Sequence, residues 1–106
     1  MAQVHTLTWS DPATYNDTAQ TPLDPATIVG YEISFDSVAA VSIPKQAGNT
    51  FDLTTLAAWA TLVPGSHTVN LAVVLDAAHG GAVGAFGHAT FPVFGTPAAP
   101  THLAVA

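Results

Sequence analysis

A strict two-residue alternation of large apolar and polar side chains constrains this chain more than any other feature. In residues 30–36, Tyr31, Ile33 and Phe35 alternate with Glu32, Ser34 and Asp36. Successive side chains of a strand point to opposite faces, so this set buries one face and wets the other. On a helix the same residues would spread around the whole circumference. The period recurs in residues 4–9, where His5, Leu7 and Trp9 oppose Val4, Thr6 and Thr8. It returns in residues 67–75, where His67, Val69, Leu71 and Val73 share a face. Strands with one apolar face imply an antiparallel all-β fold closed around a single core.

The segments between these strands carry turn chemistry. Residues 10–28 hold three prolines and three aspartates with no sustained period, which predicts a long loop. Residues 38–43 read as a short strand stopped by Pro44, and Lys45-Gln46-Ala47-Gly48-Asn49 as a polar turn. Residues 50–53 are extended. Residues 54–62 are the one helical candidate, with Thr54 or Thr55 as its N-cap. Pro64-Gly65-Ser66 is a tight turn, and Gly80-Gly81 marks a hairpin connection into a last strand over residues 85–94. Pro92 removes a ladder donor there and favours an edge position or a bulge. Residues 1–95 therefore form the domain, and residues 96–106 a linker-like tail ending in a short extended piece.

With 49% hydrophobic residues, 106 residues suffice for one core. Only 8% of residues are charged, against about 25% in ordinary soluble domains. Lys45 is the only formal cation among Lys and Arg and the net charge is −6, so a run of phosphates has nothing to neutralise it. Nucleic acid and anionic membrane surfaces are thus poor partners. No formal charge follows Asp76, a pattern expected either of surface that another molecule covers or of a neutral surface built from small residues. The start lacks a basic region followed by a continuous apolar one, so no signal peptide is expected. The uncharged run over residues 53–75 is broken by Pro64-Gly65 and reads as no membrane span.

No constellation of residues announces chemistry. Absence of cysteine removes disulfides and thiolate catalysis. The histidines His5, His67, His79, His88 and His102 lack metal-ligand spacing, and Asp11, Asp17 and Asp24 match no calcium-loop pattern. Neither a nucleophile elbow nor a phosphate-cradling glycine loop is present. No cofactor, metal or catalytic residue is assigned. Trp59 stands out because it lies off the core strands: it is either a partner anchor or a cap on the open end of the core.

In order along the chain, several motifs resemble a fibronectin type III domain, an immunoglobulin-like sandwich. Leu7-Thr8-Trp9 with Asp11-Pro12 resembles its B strand, and Ile28-Val29-Gly30-Tyr31-Glu32-Ile33 its C strand. Thr50-Phe51-Asp52-Leu53-Thr54-Thr55-Leu56 resembles the E strand, and Leu62-Val63-Pro64-Gly65-Ser66-His67-Thr68-Val69 the turn into the F strand. The tail, Thr96-Pro97-Ala98-Ala99-Pro100-Thr101-His102-Leu103, resembles the join between repeats. The resemblance implies a two-sheet antiparallel sandwich acting as a structural or binding module rather than an enzyme.

Three departures from that pattern matter. His67 stands nearest the position of the family's corner tyrosine, whose hydroxyl ties down the turn. The 10–28 loop is long, and residues 57–61 look inserted. An A-like strand, Ala99-Pro100-Thr101-His102-Leu103-Ala104-Val105, lies last instead of first. It is expected to fold back as an edge strand or to join the sheet edge of a neighbouring copy, the alternative being a frayed linker stub between repeats. The candidate partner interface is therefore Trp59, Phe94, Thr101, His102, Leu103 and Val105. The partner is expected to be protein, either a second copy or a viral shell or tail protein, at a virion surface. The alternative is a glycan-binding or adhesion repeat of an exported protein.

Overall fold

The computed structural model describes residues 5–95, 97–102 and 104–105. Among these residues six strands form two antiparallel sheets. Strand β1 (Thr6–Thr8) pairs with β4 (Thr50–Asp52), while β2 (Ile28–Phe35), β3 (Val41–Pro44), β5 (Gly65–Leu75) and β6 (Gly87–Val93) make a second sheet. The order in that sheet is β3-β2-β5-β6, which leaves β3 and β6 as edges. Pro92 thus sits on an edge strand, where its missing N–H costs the ladder least.

The alternating residues meet as the sequence predicts. Register sets Tyr31, Ile33 and Phe35 of β2 beside Val73, Leu71 and Val69 of β5. Tyr31, Ile33 and Phe35 are at most 1% exposed and form the centre of the core. Leu7, Trp9 and Phe51 reach it from the two-stranded sheet, so the sheets face each other across one interior.

Several boundaries differ from the reading of the sequence, and Gly65 and Ser66, read as turn, already pair with Val93 and Pro92 as the start of β5. Strand β2 starts at Ile28, because an irregularity between Ile28 and Gly30 keeps both in register with β5 while shifting the alternation. Residues 38–40 belong to no strand and follow a turn at Asp36-Ser37. Asp36 takes a φ of 52°, and the N–H of Val38 donates to the carbonyl of Phe35. The helical segment is two 3₁₀ turns, Leu53–Thr55 and Ala57–Thr61. The cap on the first is Asp52, whose carboxylate accepts from the N–H of Thr54.

Two positions require glycine for different reasons. At Gly30 a Cβ would lie 2.6 Å from the carbonyl oxygen of Ile43, so the backbones of β2 and β3 approach only because it is absent. At Gly80-Gly81 both φ values are positive, 71° and 62°, which reverses the chain after the Ala77–His79 turn.

Candidate functional site

The long loop is organised by its aspartates. Asp17 accepts from both the N–H and the hydroxyl of Thr21, and Asp24 caps the Pro25–Thr27 turn through the N–H of Ala26. A bridge between Thr14 and Pro22 closes the loop, placing Leu23 in the core and Tyr15 against it. Asp11 points elsewhere. It accepts from the Tyr31 hydroxyl at 2.9 Å, from Trp9 Nε1 at 3.2 Å and from Lys45 Nζ at 2.8 Å. Partial burial pushes its carboxyl upward, but these donors together hold it below the ordinary value. The three aspartates therefore serve separate local bonds. Among the described residues no group of His, Asp or Glu is arranged to hold a metal ion.

The other end of the body is tied by His67. Its Nδ1 lies 2.7 Å from Asp36 Oδ2 and its Nε2 lies 2.6 Å from the carbonyl oxygen of Val63. Both partners are acceptors, so the doubly protonated ring satisfies both. The hydrogen bond with Asp36, then that with Val63, raises the pKa of His67, and the His67 contact lowers that of Asp36. An imidazole thus bonds the turn where the sequence left the corner in question.

Between these ends one side of the core is open. A groove of about 650 Å³ runs between β1 and the β5–β6 face, with Leu7, Trp9, Leu71, Val73 and Ala89 on its walls. Leu71 and Val73 are on the inner face of a central strand yet only half-buried. Gly87 and Ala89, whose register matches the inward Phe91, are exposed. No Asp, Glu, Lys or Arg lines the groove. Among the described residues β1 pairs with β4 alone, and its outer edge forms no ladder.

The sequence-derived candidates fall in two places. Trp59 lies on the Ala57–Thr61 turn, half-buried, stacked on Phe91 at 5.6 Å and tilted against His5 at 5.0 Å. Phe94 follows β6 and is 68% exposed. Thr101 and His102 are exposed, Val105 is completely so, and Leu103 lies outside the described residues. Residues 97–102 and 104–105 belong to no strand. The groove walls were not singled out from sequence. Their signal was the small, uncharged run Gly84-Ala85 and Gly87-His88-Ala89, where a closed core would carry larger side chains. Comparison of the chain with family models, curated proteins and solved structures returns no match. No helix of the described residues is long and apolar enough to cross a membrane.

Proposed function

We propose that this chain is a non-enzymatic structural module of the fibronectin type III-like kind, acting by assembly with other protein. The observation that carries the proposal is the uncharged groove beside an unpaired strand edge, on a body whose other inner positions are filled. Apolar surface of this kind marks contact sites when contiguous and rimmed by polar groups. The family reading is supported by strand order. Strands C, F and G of an immunoglobulin-like sandwich share one sheet and B and E lie in the other. The segments that resemble C, F, B and E are β2, β5, β1 and β4, and β6 follows β5 as G follows F.

The setting we favour is a virion surface, where a subunit low in charge is covered by its neighbours. A second reading, a repeat of an exported adhesion or carbohydrate-binding protein, is favoured by the exposed, proline-interrupted tail. Light scattering of the purified chain across a concentration series separates them. Concentration-dependent growth in mass supports the assembly role. A strict monomer that binds glycans on an array overturns it.

A further inference from the structure

One side chain ties down the corner between the Ala57–Thr61 turn and β5. After Leu62, whose N–H donates to the carbonyl of Trp59, come Val63 and Pro64, and Pro64 has no N–H to donate. Among the described residues the Val63 carbonyl accepts from His67 Nε2 alone. Val63 is 66% exposed, so water is at hand for its carbonyl. Leu62 packs against the core near Trp59, and a Cβ at Gly95 would lie 3.2 Å from Pro64 Cγ, so the corner also abuts the chain as it leaves β6.

The other partner of the ring is anchored. Asp36 donates its N–H to the carbonyl of Thr68 at 2.8 Å, accepts the Thr68 N–H on Oδ1 at 2.9 Å, and accepts Asn70 Nδ2 on its carbonyl at 2.9 Å. These bonds to β5 hold the carboxylate whatever state His67 adopts. A neutral imidazole carries one N–H and one lone pair, so it can donate to Asp36 or to Val63 but not to both. The charged carboxylate is the stronger acceptor and keeps the N–H. The lone pair then faces the Val63 carbonyl oxygen across 2.6 Å, and of these two acceptors only the carbonyl is free to turn away. With the His67 side chain 11% exposed, water has little room to come between them.

Asp36 is the charged group that bears on His67. From β6, Phe91 packs on the ring and brings no charge, while His88 bonds Asn70 instead. His5 lies against Phe91 as well, within electrostatic reach of Asp52. We propose that His67 is a proton-operated latch: the doubly protonated ring ties the corner of residues 62–65 to the body, and loss of one proton releases the Val63 carbonyl to solvent while Asp36 stays docked. The hydrogen bond with Asp36, then that with Val63, raises the pKa of His67, so the corner opens on the alkaline side of the ordinary 6.5. The end that loosens is the one where Trp59 stacks on Phe91 and where Val93 pairs with Gly65. Such an opening is local, at lower free energy than unfolding of the body, and it does not depend on the assembly reading above.

Nuclear magnetic resonance on the full chain reads each part. As pH rises through the titration of the His67 ring nitrogens, the carbonyl carbon of Val63 should shift with the same midpoint. Protection of the Leu62 N–H against hydrogen exchange, corrected for the intrinsic rate, should fall by about tenfold, as expected for loss of one bond to a charged donor. The N–H groups of Asp36 and Thr68 should keep their protection. In His67→Phe the corner should be open at every pH. Asp36→Asn should do the reverse: with its oxygen still accepting from Thr68, the amide turns its NH2 to Nδ1, so a neutral ring donates from Nε2 to Val63 and the corner stays closed at alkaline pH. A Val63 carbonyl and a Leu62 N–H that do not respond while His67 titrates overturn the latch. So does an equal loss of protection at Asp36 and Thr68, or an Asp36→Asn chain whose corner still opens with pH. If His67→Phe does not fold, the titration of the parent chain and Asp36→Asn decide the matter.

Discussion

Trp59 distinguishes a core residue from a partner anchor, and its removal gives a measurable answer. The indole stacks on Phe91 with an interplanar angle of 18°, and meets Phe35 edge-on at 6.1 Å and His5 at 5.0 Å. Leu56, Ala58 and Leu62, on the same pair of turns, pack against the core beside it. Full truncation of a buried Trp costs about 3–5 kcal/mol, and the half-burial of this one places Trp59→Ala near the lower figure, about 3 kcal/mol. For a domain of this size about 1 kcal/mol moves the melting temperature by roughly 4–8 °C, so a fall of about 12–24 °C is expected. Trp59→Phe keeps an aromatic face against Phe91 and should lose about 1.5 kcal/mol or less. Thermal unfolding followed by circular dichroism reads both. A Trp59→Ala chain that melts within about 4 °C of the parent, while failing to assemble, would refute the core role and restore Trp59 as an anchor.

Three further outcomes follow from single contacts. Gly30→Ala drives a Cβ to within 2.6 Å of a backbone oxygen, so β3 must shift, and urea unfolding should show a loss of about 1–3 kcal/mol. Tyr31→Phe removes a hydroxyl that donates to the Asp11 carboxylate and should cost about 1.5 kcal/mol, whereas an unchanged urea midpoint would show that Lys45 and Trp9 suffice to hold Asp11. The His67–Asp36 pair sets a pH window. The raised pKa of His67 gives stabilisation that is whole below its ordinary 6.5 and lost as pH rises through the folded value. The lowered pKa of Asp36 gives stabilisation that is whole above its ordinary 3.8 and lost as pH falls through its own folded value. Melting temperature should therefore plateau between those limits, and in His67→Phe the decline above the upper one should vanish.

What the sequence made legible is what period two encodes. The facing of His5, Leu7 and Trp9, the burial of Tyr31, Ile33 and Phe35, and the edge placement of Pro92 all follow from which residues alternate and which lack a donor. The start of β2 was hidden because a bulge breaks the alternation at Ile28 while preserving the pairing. Leu23 was hidden because no period marks a residue that reaches the core only after Thr14 and Pro22 close a loop across it. Val38 suggested a strand by composition, but the left-handed Asp36 two residues before it turns the chain first. The groove was illegible for a related reason. Gly87 and Ala89 read equally as turn and strand, and only the register with β5 shows that they share the inward parity of Phe91 while remaining exposed.

The placement of charge explains why the open side differs from the others. Asp11 is paired with Lys45, Asp36 with His67 and Asp76 with His79, while Asp17, Asp24 and Asp52 accept from nearby backbone N–H groups. Apart from Glu32 on β2, which accepts from the Ser42 hydroxyl of β3, and Asp52 at the end of β4, charged side chains are thus spent on loops and corners. Exposed sheet edges are normally guarded by charge, proline or a covering turn, because an unguarded edge pairs with whatever strand it meets. Strand β3 ends in Pro44 followed by Lys45, β6 carries Pro92, and β4 ends at Asp52 with a 3₁₀ turn after it. Among the described residues strand β1, Thr6-Leu7-Thr8, has none of these protections, and it borders the groove. An edge left bare beside uncharged walls, in a chain that guards its other edges, is the arrangement expected where pairing is the purpose. Adding one lysine in place of Thr8 would then supply the missing guard, and it should abolish assembly without lowering the melting temperature of the body.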